Sequence, residues 1–369
     1  MRFPETFAST RPSLLLLLSV GWILSLLPPL SAASPPPRSG IWAMQRLPED
    51  ERGVAQMAAE AKANPNLSGI CLHLAWYMVE KRAGQPDFTT VDRAVKALRG
   101  IGMKYQLCLK SGAHTPEWVY EQGAKAFPTK VRNPHRANVG ETIKIPVPWD
   151  PVYEKNFSRI IQELGKRYSD DPLCVSVVLT CANGLSAEMH LPKAPEDRAR
   201  WRSLGNYETN LLGVYKKFTD EWATAFPRQE VSLHLAKVLD LPASFCKEII
   251  DYGLSKYPDR FSIQNCQLTG RKEDVGMFTY DIIMQYRTRL HHGFQSLAAL
   301  SPPNDRMGSI EMAALNLVHA DGEYWELWHG DGFSVETSAA ALKAWNEAKS
   351  LGYEGYKKKL ISDGKYRQR

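Results

Sequence analysis

VVLTCANGLSAEMHLP, residues 177–192, runs from apolar, strand-like residues into a polar turn that collects Asn183, Ser186, Glu188 and His190. A strand emptying into such a loop is half of a strand-helix unit, and the number of times that unit recurs decides the fold. Eight apolar, β-rich runs stand out: GIWAMQRL (40–47), SGICLHLAW (68–76), KYQLCLK (104–110), LCVSVVLTC (173–181), EVSLHLAKV (230–238), FSIQNCQL (261–268), HGFQSLA (292–298) and EYWELWH (323–329). Between them lie helix-period stretches at 90–102, 150–168, 206–226, 243–257, 307–322 and 334–352, the last stopped by Gly352. Asp150 followed by Pro151 is a helix start with a mechanism, a side-chain acceptor and then a residue whose missing N–H costs nothing at the first position. Strand then helix, eight times over about 310 residues, predicts an α/β fold, a (β/α)8 TIM barrel. An open doubly wound sheet would want a glycine-rich phosphate turn after its first strand, and none follows.

Composition agrees with a globular chain. Of 369 residues, 44% are hydrophobic and 23% charged, and the formal charge is +6. The basic residues are scattered, which excludes a nucleic-acid footprint of clustered Lys and Arg. Arg2 and Arg11 precede the apolar run LLLLLSVGWILSLLPPL (14–30) and the small residues SAAS, the pattern of a secretory signal over 1–33. A membrane anchor is the rival, but Pro28 and Pro29 break the run, so stable membrane insertion after cleavage is not expected. The expected organisation is a signal peptide (1–33), a Pro-rich lead-in unlikely to pack (34–39), a barrel catalytic domain (40–355) and a basic, solvated tail (356–369) of a secreted or periplasmic protein. Six cysteines without CxxC spacing read as mostly buried thiols.

Strand alternation places Gln106, Cys108, Lys110, Ser232, His234, Gln264, Gln295, Tyr324, Glu326 and Trp328 inside the barrel. Such a lining is unusually polar. Packed core amides would account for the glutamines, but a carboxylate such as Glu326 is costly to bury without a purpose. Glu188, just past the fourth strand, and Glu326, on the eighth, would each present an acid toward the barrel mouth. Two carboxylates in a cleft lined by aromatic and amide groups suit glycosidic bond cleavage. Trp76, Trp118, Trp149 and Trp328 are candidates to stack on sugar faces, with core packing as the alternative for each. His73, Lys110, Asn183, His234, Gln264 and Gln295 complete the candidate carbohydrate-binding set. The long stretch 111–149 after the third strand would stand on the face where barrel enzymes carry their sites.

HTPEWVYEQGA, VPWDPVYEKNFSRIIQELGKRY and the ANGLSAE loop resemble the clan A glycoside hydrolases, especially the β-galactosidase-like barrels, over roughly residues 40–352. The resemblance implies an Asn-Glu pair closing strand four as general acid/base and a glutamate nucleophile ending strand seven. Here Asn183 and Glu188 are separated by four residues, and Gln295 stands where the nucleophile is expected. Glu326 on the neighbouring strand would then take the role of nucleophile or of the base that activates water. Glu311, in a helical stretch, is a weaker candidate.

No cofactor is implied. His291 and His292 are adjacent, and neither HxH nor HExxH occurs, so no metal site is expected. Ser186 in GLSAE lacks the second glycine of a nucleophile elbow. Two rival functions stand beside hydrolysis by two carboxylates: a non-catalytic sugar-binding barrel, favoured by Gln295, and a hydrolase or lyase using His73 or His234 as base.

Overall fold

Hydrophobic alternation draws the strands together, and all eight expected strands form. They span Gly40–Arg46, Leu67–Ala75, Lys104–Lys110, Cys174–Val178, Glu230–Leu235, Phe261–Leu268, His291–Ser296 and Tyr324–Leu327. The computed structural model describes residues 34–301 and 306–367, so the signal assigned to 1–33 lies outside the described residues. Each strand pairs in parallel with its neighbours in chain order, and the first closes on the eighth, giving a sealed eight-stranded barrel. Leu107, Leu109, Leu233, Leu235, Ile263 and Leu327 point outward and are buried in the main core with the helices. Their alternates, Gln106, Cys108, Ser232, His234, Gln264 and Glu326, are also buried.

The helix Pro151–Tyr168 begins where the sequence places it, with the Asp150 carboxylate accepting from Val152 N at 2.9 Å and Tyr153 N at 3.1 Å. The stretch 111–149 holds a short helix, Glu117–Glu121, and an antiparallel hairpin of Ala126–Lys130 with Thr142–Pro146. Among the described residues no helix is long and apolar enough to cross a membrane. All six cysteines are free and buried.

Two expectations are corrected. The lead-in packs, because Arg38 turns into the floor of the barrel and is 1% exposed. Its guanidinium donates to Glu230 Oε1 (3.0 and 3.1 Å), Gln106 Oε1 (3.1 Å), Gln264 Oε1 (3.1 Å), Ser232 Oγ (2.8 Å) and the Tyr324 hydroxyl, over whose ring it lies at 3.9 Å. His291 Nδ1 lies 2.7 Å from Glu230 Oε2. Burial alone would raise the Glu230 carboxyl, but Arg38 and His291 outweigh it and hold it well below the carboxylate range. The C-terminal segment is no loose tail either. Gly352, at φ +66°, kinks the last helix, which resumes to Ser362 and buries Tyr356 and Leu360. The Lys357 ammonium and the Tyr366 hydroxyl both reach Glu273 Oε1, at 2.6 and 2.8 Å.

Candidate active site

The fourth strand leaves the barrel through Thr180, Cys181 and Ala182, whose consecutive carbonyls would be buried without partners. Aromatic donors from two helices satisfy them. Trp222 Nε1 donates to Thr180 O at 3.0 Å and the Tyr215 hydroxyl to Ala182 O at 3.1 Å, both from the helix Tyr207–Ala225, while Tyr153 donates to Cys181 O. The loop then folds back on itself. Asn183 Oδ1 accepts from Cys181 N (2.7 Å), and its Nδ2 donates to Ala187 O (2.6 Å) and Glu188 O (2.7 Å). Gly184 N donates to His190 O at 2.6 Å, and Met189 N to His234 O at the end of the fifth strand at 3.1 Å. Gly112, at φ +59°, lies against this loop so closely that a Cβ there would sit 2.2 Å from the carbonyl oxygens of Asn183 and Gly184.

This scaffold carries Glu188 to the barrel mouth, half-buried, with its Oε2 buried and without a hydrogen-bond partner. Glu326 is fully buried on the eighth strand, in register with Gln295 of the seventh. Gln295 Nε2 donates to Glu326 Oε1 at 2.5 Å, while Glu326 Oε2 makes no hydrogen bond. Burial lifts the Glu326 carboxyl to about 7; Arg38 and the Gln295 hydrogen bond pull it down, and the charge of Glu188 pushes it up again. The Glu326 carboxyl therefore feels the charge of Glu188 at the mouth.

Several expected residues join them. Trp328 keeps 37% of its surface open while Nε1 donates to Ser296 O at 2.7 Å. His73 and His234 each hold a buried, unpartnered Nε2, and burial keeps both imidazoles well below their ordinary value. Lys110 is half-buried, and burial lowers its ammonium. Others do not serve as expected. Trp76 is fully buried, donates to Glu80 Oε2 at 3.0 Å and packs edge-on to Trp118, which itself donates to Glu80 O at 3.0 Å, so both are core rather than sugar platforms. Asn183 spends its whole amide on the loop. Gln264 Oε1 accepts from Arg38 and Tyr324 and its Nε2 faces Cys266 Sγ at 3.3 Å, which ties it to the floor. Trp149 is half-buried against Trp201 at 5.9 Å. Glu311 pairs with Lys365 at 2.7 Å.

The fold also assembles what no motif announced. Cys71 and His73 of the second strand and Glu326 of the eighth bring one ligand atom each to within 4.8 Å of one another. That spread is wider than the separations of about 3.5 Å in a tetrahedral zinc shell, so these side chains would have to close in to hold an ion. Arg46, His114 and Arg136 also stand at the mouth, where burial and then Lys110 depress the His114 imidazole to about 4, Arg136 and Arg46 adding to the effect. Sequence alternation could not find Arg136, which comes from the hairpin loop.

Comparison with known proteins agrees with this architecture. The β-galactosidase family of glycoside hydrolases, family 42, matches residues 52–233, a span that includes the Glu188 loop and ends before Gln295 and Glu326. A β-galactosidase from the psychrophilic Marinomonas ef1 superposes with TM-score 0.56 at 12% identity, over 88% of this chain and 60% of that one. A β-galactosidase from the Antarctic haloarchaeon Halorubrum lacusprofundi gives TM-score 0.53 at 14% identity, over 84% and 58%. The catalytic domain of a β-amylase from Paenibacillus polymyxa gives 0.51 at 9% identity, over 85% and 98%. The chain thus spans about 60% of the length of these β-galactosidases. Among curated proteins, none matches the chain.

Proposed function

We propose, from the premise that this chain is a β-galactosidase-like, glycoside-hydrolase-like (β/α)8 barrel, that it hydrolyses O-glycosidic bonds of an oligo- or polysaccharide with Glu188 and Glu326. The observation that carries the reading is the Gln295–Glu326 pair. An amide at the end of strand seven cannot attack as an anion, but here it donates to the adjacent carboxylate and leaves that carboxylate's second oxygen free. Glu326, once ionised, would attack the sugar or activate water. Glu188, on the strand-four loop, would protonate the leaving oxygen and then serve as base. Trp328 would offer a ring to the sugar, with His73 and His234 as hydroxyl partners. The signal-like segment 1–33 supports export to the periplasm or medium, and N-terminal sequencing of the mature protein tests it, a start near Ser34 being the expected result.

The function is tested by assaying aryl glycosides, aryl β-galactosides first, and plant or algal polysaccharides beside Glu188→Gln and Glu326→Gln. Loss of turnover in both variants supports two-carboxylate hydrolysis. A second reading, a sugar-binding barrel without turnover, draws on Gln295 itself; it gains if no substrate is cleaved while sugars still bind and Glu188→Gln leaves that binding intact.

A further inference from the structure

The wall of the mouth between the hairpin and the strand-four loop sets several cations among apolar residues such as Val131, Ile143 and Leu185. A cavity of about 300 Å³ opens there, lined by Lys130, Arg132 and Arg136 from the hairpin and its loop, and by Ser186, His190 and Lys193 from the loop that carries Glu188. Two of the acidic groups nearby are already engaged, and the third, Glu188, acts on Lys110 from a distance without pairing with it. Asp197 accepts from Thr129 Oγ1 (3.0 Å) and pairs with Arg200, and Glu196 pairs with Arg132. Lys130, Arg136 and Lys193, by contrast, make no ion pair among the described residues. Neither do Arg46 and Lys110, which stand at the ends of the first and third strands beside the same mouth. Lys110 is the telling member: a half-buried ammonium has lost much of its hydration, and no carboxylate lies within ion-pair distance to replace it. The charges are also felt at Lys110 itself, since after burial Arg46 and Arg136 disfavour its cation, with Glu188 opposing them.

We propose that the sugar bound at this mouth carries a negative group, a sulfate ester or a uronate carboxylate, which sits between Lys110 and the Arg136–Lys193 side of the cavity. Fixed cations without ion-pair partners, in excess over the nearby Glu188, leave a net positive site that an anionic substituent fills, and a neutral galactoside would leave it unfilled. This deepens the hydrolase reading and rests on it for the placement of the sugar, but its test needs no turnover.

The test is calorimetric titration of the full mature chain with methyl β-galactoside, its 6-sulfate and methyl β-galacturonide, at about 50 mM and about 500 mM NaCl. The expected result is binding of at least one anionic probe about tenfold or more tighter than the neutral one, with the margin shrinking at high salt. The two anionic arms tell sulfate from carboxylate. Lys110→Met and Arg136→Gln should each erode the margin, and Lys110→Arg should restore most of it, which separates charge recognition from a folding defect. Equal affinity for all three probes overturns the proposal, as does a preference untouched by both neutralising variants. Turnover of neutral substrates without anionic preference would leave hydrolysis standing and remove this inference. Anionic preference without turnover on any substrate would do the reverse.

Discussion

Gln295 and Glu326 face each other across adjacent strands, and the 2.5 Å hydrogen bond between them fixes one carboxylate oxygen while leaving the other without a partner. If that bond orients the attacking group, Gln295→Ala should lower kcat by roughly a hundredfold, the scale of losing one well-placed donor, with a smaller effect on KM. Steady-state kinetics on the best aryl glycoside measures it, and an unchanged kcat would sever Gln295 from the mechanism.

The pH profile assigns the roles. Glu326, raised to about 7 mainly by burial, is protonated below that value and ionised above it. As nucleophile or base it works only ionised, so kcat/KM should rise with pH through about 7 in chelator-treated protein. A profile falling through the same pH would make Glu326 the acid and exchange its role with that of Glu188.

Arg38 is the cation at the centre of the floor. Replacing it with Met strands the buried Glu230 carboxylate and should cost about 3–5 kcal/mol in urea unfolding. A loss under about 1 kcal/mol would mean the floor is held by Gln106, Gln264 and Tyr324 without it.

The same floor sets a pH window for stability. Glu230 is held low, so its contribution is complete above the ordinary carboxylate value and is lost as pH falls through its lowered one. His291 is raised, because Glu230 outweighs the burial that opposes its cation. Its contribution is complete below its ordinary value and fades as pH rises through the raised one. The pair should therefore contribute most between about pH 4.3 and 6.5. Urea midpoints of the wild type and His291→Gln across pH 4–9 should converge on the alkaline side; a gap that persists there contradicts the linkage.

Gly112→Ala should disturb the site without unfolding the barrel. The added methyl would collide with Asn183 O and Gly184 O and displace the loop that carries Glu188. Activity should fall about tenfold or more, with far-UV circular dichroism retained.

The barrel was legible because eight apolar runs recur between helix-period stretches, and because alternation told outward leucines from inward polar groups. Gln106, Ser232 and Tyr324 do line the interior, as alternation requires. The strand-four loop and Glu326 were legible for the same reason, each being placed by a strand end. What escaped was whatever depends on contacts between distant segments. Trp76 and Trp118 carry an amphipathic ring equally suited to a cleft or a core, and only Glu80, buried between helices, decides for the core. Asn183 looked free because its three acceptors and donors are backbone atoms of its own loop. The hairpin at 126–146 has short strands rich in Lys and Pro, joined by a long loop, so neither alternation nor turn chemistry marked it.

Arg38 also bears on the order in which the chain folds. Its partners lie 68 residues ahead at Gln106, 192 at Glu230, 226 at Gln264 and 286 at Tyr324. Contacts so distant in sequence close late, after the intervening loops have been ordered. A residue that precedes all eight strands thus waits for the fifth before its charge meets Glu230, and for the eighth before its bond to the Tyr324 hydroxyl forms. The segment around Arg38 is then the last part of the floor to become protected, and a slow phase in amide exchange or refolding should report from there.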